Sequence, residues 1–191
     1  LAKFARLWLP VNPEGDLALL NGLSALLMEK GTGDQTFIDR CTYGFSAFKK
    51  ELAGVKLDDT CHLTGLDPAA IKLAVDLLSG KKIAFVIGHG ILQRKGADNT
   101  LTAILNLSLM SGSLGRGHGG IFIVSKENNQ QGAMDMGAAP DLLPGRQAID
   151  NSGLREIWEQ NWKTKLSPEA GFNMSEMIRA AEDGTLKALY I

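Results

Sequence analysis

The chain has 191 residues, 45% of them hydrophobic, enough for one domain with a sizeable core or for two small ones. Its 20 Lys and Arg residues stand against 21 Asp and Glu, so the net charge of −1 offers no electrostatic footprint for nucleic acid or an anionic membrane. No apolar run approaches the roughly 20 residues that a membrane helix needs.

Leu7-Trp8-Leu9-Pro10-Val11 is a short apolar run that fits a strand, and Asn12-Pro13 after it supplies an N-cap and a first-turn proline. The spacing of Leu17, Leu20, Leu23, Leu26 and Leu27 predicts a helix that stops near Gly31 and Gly33. Short helices with polar breaks are expected from about Asp34 to Leu66. Asp67-Pro68 then opens another helix, which Gly80 closes. Ile83-Ala84-Phe85-Val86-Ile87 is a continuous apolar strand of the kind buried on both faces of a parallel sheet, and it runs into Gly88-His89-Gly90. Asp98 is the expected cap of a helix bearing Leu101, Ile104, Leu105 and Leu109 and ending at Gly112, with Ile121-Phe122-Ile123-Val124 as the next strand.

Glu127 to Gly145 is rich in Gly, Asn, Gln and Pro, which argues against helix and strand alike and for a long loop. Helices are expected at Gly153 to Trp162 and Met174 to Glu182, the second opened by Asn173 and Glu176 as a capping box. Leu186 to Ile191 completes the pattern as a last strand. Alternating strands and helices give an α/β fold, a Rossmann-like, right-handed parallel sheet flanked by helices. The expected break leaves 1–124 in one Rossmann-like α/β domain and 125–191 as the loop and start of the next α/β segment. The chain opens at Leu1 without methionine and stops inside an apolar run, so it is expected to be a fragment of something larger.

A strand ending in Gly88-His89-Gly90 places bare backbone amides at the carboxyl edge of a sheet, where a phosphate or nucleotide can approach closely. The third glycine of the dinucleotide fingerprint is missing, so a tight turn explains the motif equally well. Ser111 to Gly120 is a second glycine-rich loop, with Arg116 and His118 as its polar members. It is either an anion clamp or a surface connection. His62 reads as a surface residue. Cys41 and Cys61 lack CxxC or His company and read as reduced thiols of an intracellular, cytoplasmic domain, with a disulfide as the alternative. No nucleophile elbow, P-loop or metal cluster names a reaction, so no catalytic residue and no metal ligand is assigned to this chain. The residues by themselves point to an α/β domain holding a nucleotide-like ligand.

Asn128-Asn-Gln-Gln-Gly-Ala-Met-Asp-Met-Gly137, with Pro140 and Leu143-Pro144-Gly145, closely resembles a segment of the molybdopterin oxidoreductase family, in its formate dehydrogenase-like branch. Four other blocks agree in order. Pro13-Glu14-Gly15-Asp16 with Ala18, Leu19 and Asn21 resembles P-G-T-D-x-A-L-x-N, Glu14-Gly15 replacing Gly-Thr. Gly88-His89-Gly90 with Gln93 and Asp98-Asn99 resembles G-M-G-x-x-Q…D-N. Gly112 to Arg116 resembles G-N-I-G-R, and Met177 to Ile191 the stretch before G-E-N-P.

The resemblance implies a slice of a catalytic subunit that binds molybdopterin guanine dinucleotide with Mo or W and carries out two-electron oxidation and reduction. An iron–sulfur cluster is implied in the parent, outside this fragment. By the same resemblance Gly15 and Asp16 face a guanine. Gly88, His89, Gly90 and Gln93 line the dinucleotide near its phosphates. Glu127, Asn129, Gln131 and Gly132 belong to the loop beside the pterin and metal, where amides offer donors and acceptors in one planar group. The alternative is a loop that joins two domains with its amides in water. Implied partners are the rest of the subunit, redox partner subunits and a small-molecule substrate.

Formate dehydrogenases carry an arginine and a glutamine just before the double asparagine, where this chain has Ser125 and Glu127 around Lys126. Lysine restores the charge but not the bidentate fork that holds a small carboxylate. Formate is thus one candidate substrate. A non-catalytic electron-transfer subunit resembling the large subunit of NADH–quinone oxidoreductase is the second reading. A nucleotide-holding domain like the central domain of thiamine diphosphate enzymes is the third. The fragment alone is expected to be inactive.

Overall fold

The computed structural model describes residues 2–115, 117 and 119–189. The chain divides into two compact units, Leu1–Val124 and Ser125–Ile191. The first is mixed α/β and mostly helical. α1 (Asp16–Glu29), α2 (Gln35–Cys41), α3 (Phe45–Leu52), α4 (Leu57–Thr64) and α5 (Pro68–Leu78) precede β1 (Ala84–Gly88). α6 (His89–Leu92) and α7 (Ala97–Met110) then lead to β2 (Gly120–Val124), which pairs parallel with β1 in the register Ala84↔Gly120 through Gly88↔Val124.

The core of this unit is made by α1, α2, α5 and α7. Leu23, Leu27, Ile38, Leu66, Ile71, Ala74, Val75, Leu107 and Met110 form one buried cluster, with Ile71 and Leu107 fully enclosed. α1 crosses α4 closely enough that a Cβ on Gly22 would meet the Thr60 side chain at 2.6 Å. Gly22 therefore serves packing, despite its cost to helix propensity. Asp67 caps α5 by accepting from the Ala69 N–H at 2.7 Å, with Pro68 in the first turn, as its sequence predicts.

Several local expectations need correction. Leu7–Val11 is not a strand. Leu7, Leu9 and Val11 lie against the helical core, the Val11 N–H donates back to the Leu9 carbonyl at 2.9 Å, and Pro10 has no N–H for a ladder. Asn12 does not cap α1. Its carbonyl accepts from the Gly15 N–H in a turn, and the helix starts only at Asp16 with Gly15 at its N-cap. α7 is likewise preceded by Gly96 in the left-handed region, while Asp98 lies in the first turn, where its carboxylate suits the helix dipole. Leu105 is exposed, and Ala103, Leu107, Ser108 and Met110 take the buried face with Ile104.

β1 is not buried on both faces: Ile87 is enclosed and Val86 exposed, and β2 is the strand paired with it among the described residues. In the Ser111–Gly120 loop, Ser113 is fully buried and its Oγ accepts the Ile83 N–H at 2.8 Å, so the start of this loop is built into the entry of β1. Arg116 and His118 lie outside the described residues.

The second unit contains α8 (Gln130–Asp135), the antiparallel pair β3 (Leu142–Leu143) and β4 (Gln147–Ala148), α9 (Ser152–Trp162) and α10 (Met174–Glu182). The expected loop at Glu127–Gly145 thus holds a short helix and one arm of a small hairpin. α10 opens with the expected box: Asn173 Oδ1 accepts the Glu176 N–H at 3.1 Å and Glu176 Oε2 accepts the Asn173 N–H at 2.8 Å. The expected last strand is absent over its described residues 186–189; Leu189 is exposed with no strand beside it, and Tyr190 and Ile191 lie outside the described residues.

No described helix is long and apolar enough to cross a membrane. Both thiols are free, Cys41 exposed and Cys61 half-buried. Burial raises the Cys61 thiol, helped by the carboxylates of Asp58 and Asp67. A raised thiol is less thiolate at any given pH and reacts more slowly. Alkylation of Cys61 in the folded chain is therefore expected to need a higher pH than that of a free thiol and to reach the free-thiol rate on adding denaturant, as followed by mass spectrometry.

Candidate functional site

In the first unit the carboxyl end of β1 delivers Gly88 as the N-cap of α6, in extended backbone at φ −75 and ψ 153. Neither Gly88 nor Gly90 has a positive φ, and a Cβ on either would meet nothing within 4 Å. The turn itself therefore does not require glycine at these positions, and the space beside them is open. Between them His89 is half-buried, and its Nδ1 is enclosed without a hydrogen-bond partner among the described residues. A buried polar atom without a partner costs free energy, so this nitrogen marks a place where an outside donor or acceptor would be welcome. Gln93 caps the carboxyl end of α6 and is exposed.

The turn before α1 comes to the same neighbourhood. Arg94 Nη1 donates to Asp16 Oδ2 at 2.9 Å, tying the first residue of α1 to the segment directly after Gln93, 78 residues away. Gly15 is buried, and a Cβ there would meet Val11 Cγ1 at 2.8 Å and the Leu63 carbonyl at 3.2 Å. Glu14 before it sits at φ +69, a region costly for residues with a Cβ. The resembling pattern has glycine at this position. Glu14→Gly is expected to stabilise the chain by about 0.5–1 kcal/mol, a gain readable in the urea midpoint.

Gly15, Asp16, Gly88, His89, Gly90 and Gln93 all lie in the first unit, and Arg94, which sequence reading overlooked, ties Asp16 to the segment after Gln93. Arg94 carries no local signal, because its partner lies across the fold.

In the second unit, Asn129 at φ +55 precedes α8, and Gln130 and Gln131 occupy its first turn, exposed with Glu127 and Asn128. Ser125 Oγ donates to the Glu127 carbonyl at 2.9 Å and fixes the turn between them. Gly132 lies directly beneath the Asn129 side chain, so a Cβ there would collide with it. The amides therefore form an exposed rim on a helical turn. No group of His, Cys, Asp and Glu that could hold a metal ion occurs among the described residues.

A groove of about 740 Å³ elsewhere in the first unit runs between α1, α3, α4 and α5, with Leu26, Leu52 and Leu57 among its walls and Lys49, Lys56 and Lys72 at its rim. None of the predicted site residues lines it.

The family model for molybdopterin oxidoreductase matches residues 2–191. The chain is 34% identical over its whole length to the NADPH-Fe(3+) oxidoreductase subunit alpha of Geobacter sulfurreducens, of which it covers 22%. It is 30% identical, again over its whole length, to formate dehydrogenase H of Escherichia coli, of which it covers 27%. Among solved structures, acetylene hydratase from Pelobacter acetylenicus aligns with 61% of this chain and 16% of its own at a TM-score of 0.57 and 25% identity. The chain thus spans only about a quarter of these relatives or less.

Proposed function

The chain belongs to the molybdopterin oxidoreductase family, and from that premise we propose that it is part of a subunit that binds molybdopterin guanine dinucleotide with Mo or W. The family carries the oxidoreductase class and the molybdopterin cofactor; the guanine dinucleotide form, two-electron chemistry on formate and an iron–sulfur cluster elsewhere in the parent are our reading. The observation that carries it is the carboxyl end of β1. There Gly88 and Gly90 border open space without a conformational need for glycine, next to the orphaned Nδ1 of His89.

The chain's own residues would bind and orient the cofactor. Backbone amides at Gly88–Gly90 suit phosphate oxygens. His89 Nδ1 and the Gln93 amide suit polar groups near them, and Asp16 suits the N–H edge of guanine. In the second unit Asn129, Gln131 and Glu127 offer a mixed donor and acceptor rim to the pterin, with Gly132 in the same turn. When bound, the cofactor supplies a metal centre that exchanges two electrons with the substrate. We assign the two units to successive α/β segments of the parent chain, with the rest of the subunit and a redox partner, in the cytoplasm.

The test is chemical. Full-length parent, denatured in acid, should release GMP and contain Mo or W by mass spectrometry. Metal without GMP would overturn the dinucleotide reading. The isolated fragment is expected to show no turnover, because the resemblance places the protein's metal ligand outside it.

Ser125 and Glu127 favour a second reading, a non-catalytic electron-transfer subunit. Ser125 is engaged with the Glu127 backbone, and it offers no fork for a small carboxylate. If formate is the substrate of the parent, Ser125→Arg is expected to leave formate turnover no higher than before. A large rise in kcat/KM for formate would point to a different native substrate.

A further inference from the structure

Asp16 is the carboxylate assigned above to guanine, and it already has a partner. Arg94 Nη1 donates to its Oδ2 at 2.9 Å, and both side chains are partly exposed. The guanidinium fork and the guanine edge make the same demand. Each presents parallel N–H donors that fit the two oxygens of one carboxylate. Arg94 holds Oδ2 through one nitrogen, and a guanine edge that takes both oxygens needs that same atom.

We propose that Arg94 gates the nucleotide site: its guanidinium and the guanine base compete for the Asp16 carboxylate, so that loading requires Arg94 to let go. The proposal rests on the reading of Asp16 as the guanine contact. Arg94 follows Gln93 directly, so its release removes the tie between Asp16 and the segment that follows α6. Loading the base thereby unties α1 from the β1–α6 edge, and an exposed ion pair is weak enough to be exchanged. Gly90 and Gly88, with open space around them, place no side chain in the way of such a movement.

The experiment measures equilibrium binding of GMP, with AMP as the base control, to full-length parent purified free of cofactor. Arg94→Met keeps the stem and removes the fork. It is expected to tighten GMP binding by about two- to fivefold, the range within which an exposed ion pair competes. Asp16→Asn is expected to weaken GMP by about tenfold or more, as loss of a charged acceptor does. In the Asp16→Asn background Arg94→Met should then change nothing, and AMP should respond to neither.

A gain in affinity cannot arise from misfolding, which keeps the first arm readable. Weaker GMP binding on Arg94→Met in both backgrounds would mean that Arg94 holds phosphate, and the gate would be overturned. If Asp16→Asn weakens GMP while Arg94→Met has no effect, the gate alone fails. If Asp16→Asn has no effect, the guanine assignment fails and takes the gate with it. An equal response of AMP would also overturn the proposal, since the competition is for the guanine edge.

Discussion

Leu107→Ala is expected to lower the stability of the first unit by about 3 kcal/mol, within the range for truncating a fully buried leucine. Leu107 is wholly enclosed near the carboxyl end of α7 and belongs to the cluster with Leu23, Leu27, Ile38, Ile71 and Met110. Truncation removes its transfer free energy and leaves a cavity that four helices cannot all close.

The loss also reaches the candidate site. α7 ends in Ser111, whose Oγ lies 2.6 Å from Ser113 Oγ, and Ser113 holds the Ile83 N–H at the entry of β1. Lys82 beside it donates to Asp34 Oδ2 at 2.7 Å and to the Ser111 carbonyl at 3.1 Å. Loosening α7 therefore loosens the strand that presents Gly88. The measurement is urea unfolding, with Leu105→Ala as the control. Leu105 is 42% exposed on the same helix and should cost well under half as much. Equal costs at the two positions would mean that α7 is not packed by the face that carries Leu107.

The parts of this fold that were legible in the sequence are those decided locally. Asp67-Pro68 and the Asn173–Glu176 box complete their bonds within three residues, so their spacing suffices. The α/β class itself also came through, since two apolar runs separated by a helical stretch pair in parallel. What failed was decided at a distance. Leu7, Leu9 and Val11 alternate as a strand does, yet whether alternation makes a strand or a strap on helices depends on a neighbouring edge. Ile83–Ile87 reads as doubly buried, but among the described residues one strand, β2, pairs with it, and Val86 faces outward.

α8 was hidden for a different reason. Six residues containing a glycine carry too little periodicity to outweigh the Asn, Gln and Gly around them. At the site, the glycine motif and its position at the end of β1 were legible. The Arg94–Asp16 pair was not, because 78 residues separate its members and each looks like an ordinary surface charge. Glycine identities were equally ambiguous. Gly88, Gly132 and Gly137 look alike in a string, yet the first borders open space, the second lies under an asparagine and the third is pressed against backbone.

That last distinction carries the second large effect: Gly137→Ala is expected to cost the second unit about 3 kcal/mol. Gly137 sits at φ +81, where a Cβ costs about 1–2 kcal/mol. The new Cβ would also lie 2.8 Å from the Leu143 carbonyl carbon and 2.8 Å from the Pro144 nitrogen, backbone atoms that cannot swing aside. Overpacking of this kind adds about 1–3 kcal/mol. Relief would require α8 to part from β3, where Leu143 is buried and the Gly145 N–H donates to the Asp135 carbonyl at 2.7 Å.

β3 pairs with β4, and Gln147 of β4 accepts the Trp158 Nε1–H at 2.9 Å, so the disturbance reaches α9. The tilted pair Trp158–Trp162, with ring centroids 4.9 Å apart and planes at 45°, reports it in near-ultraviolet circular dichroism. Gly132→Ala is the contrasting variant. Its Cβ meets only the end of the Asn129 side chain, which can rotate away, and alanine favours the helix. A glycine kept for the cofactor should lose cofactor on substitution while the tryptophan signal stays intact, whereas a glycine kept for the fold should lose the signal first. Gly132 is expected to behave in the former way and Gly137 in the latter; the reverse order would mean that the Asn128–Gly137 turn meets its ligand at Gly137 and is held together elsewhere.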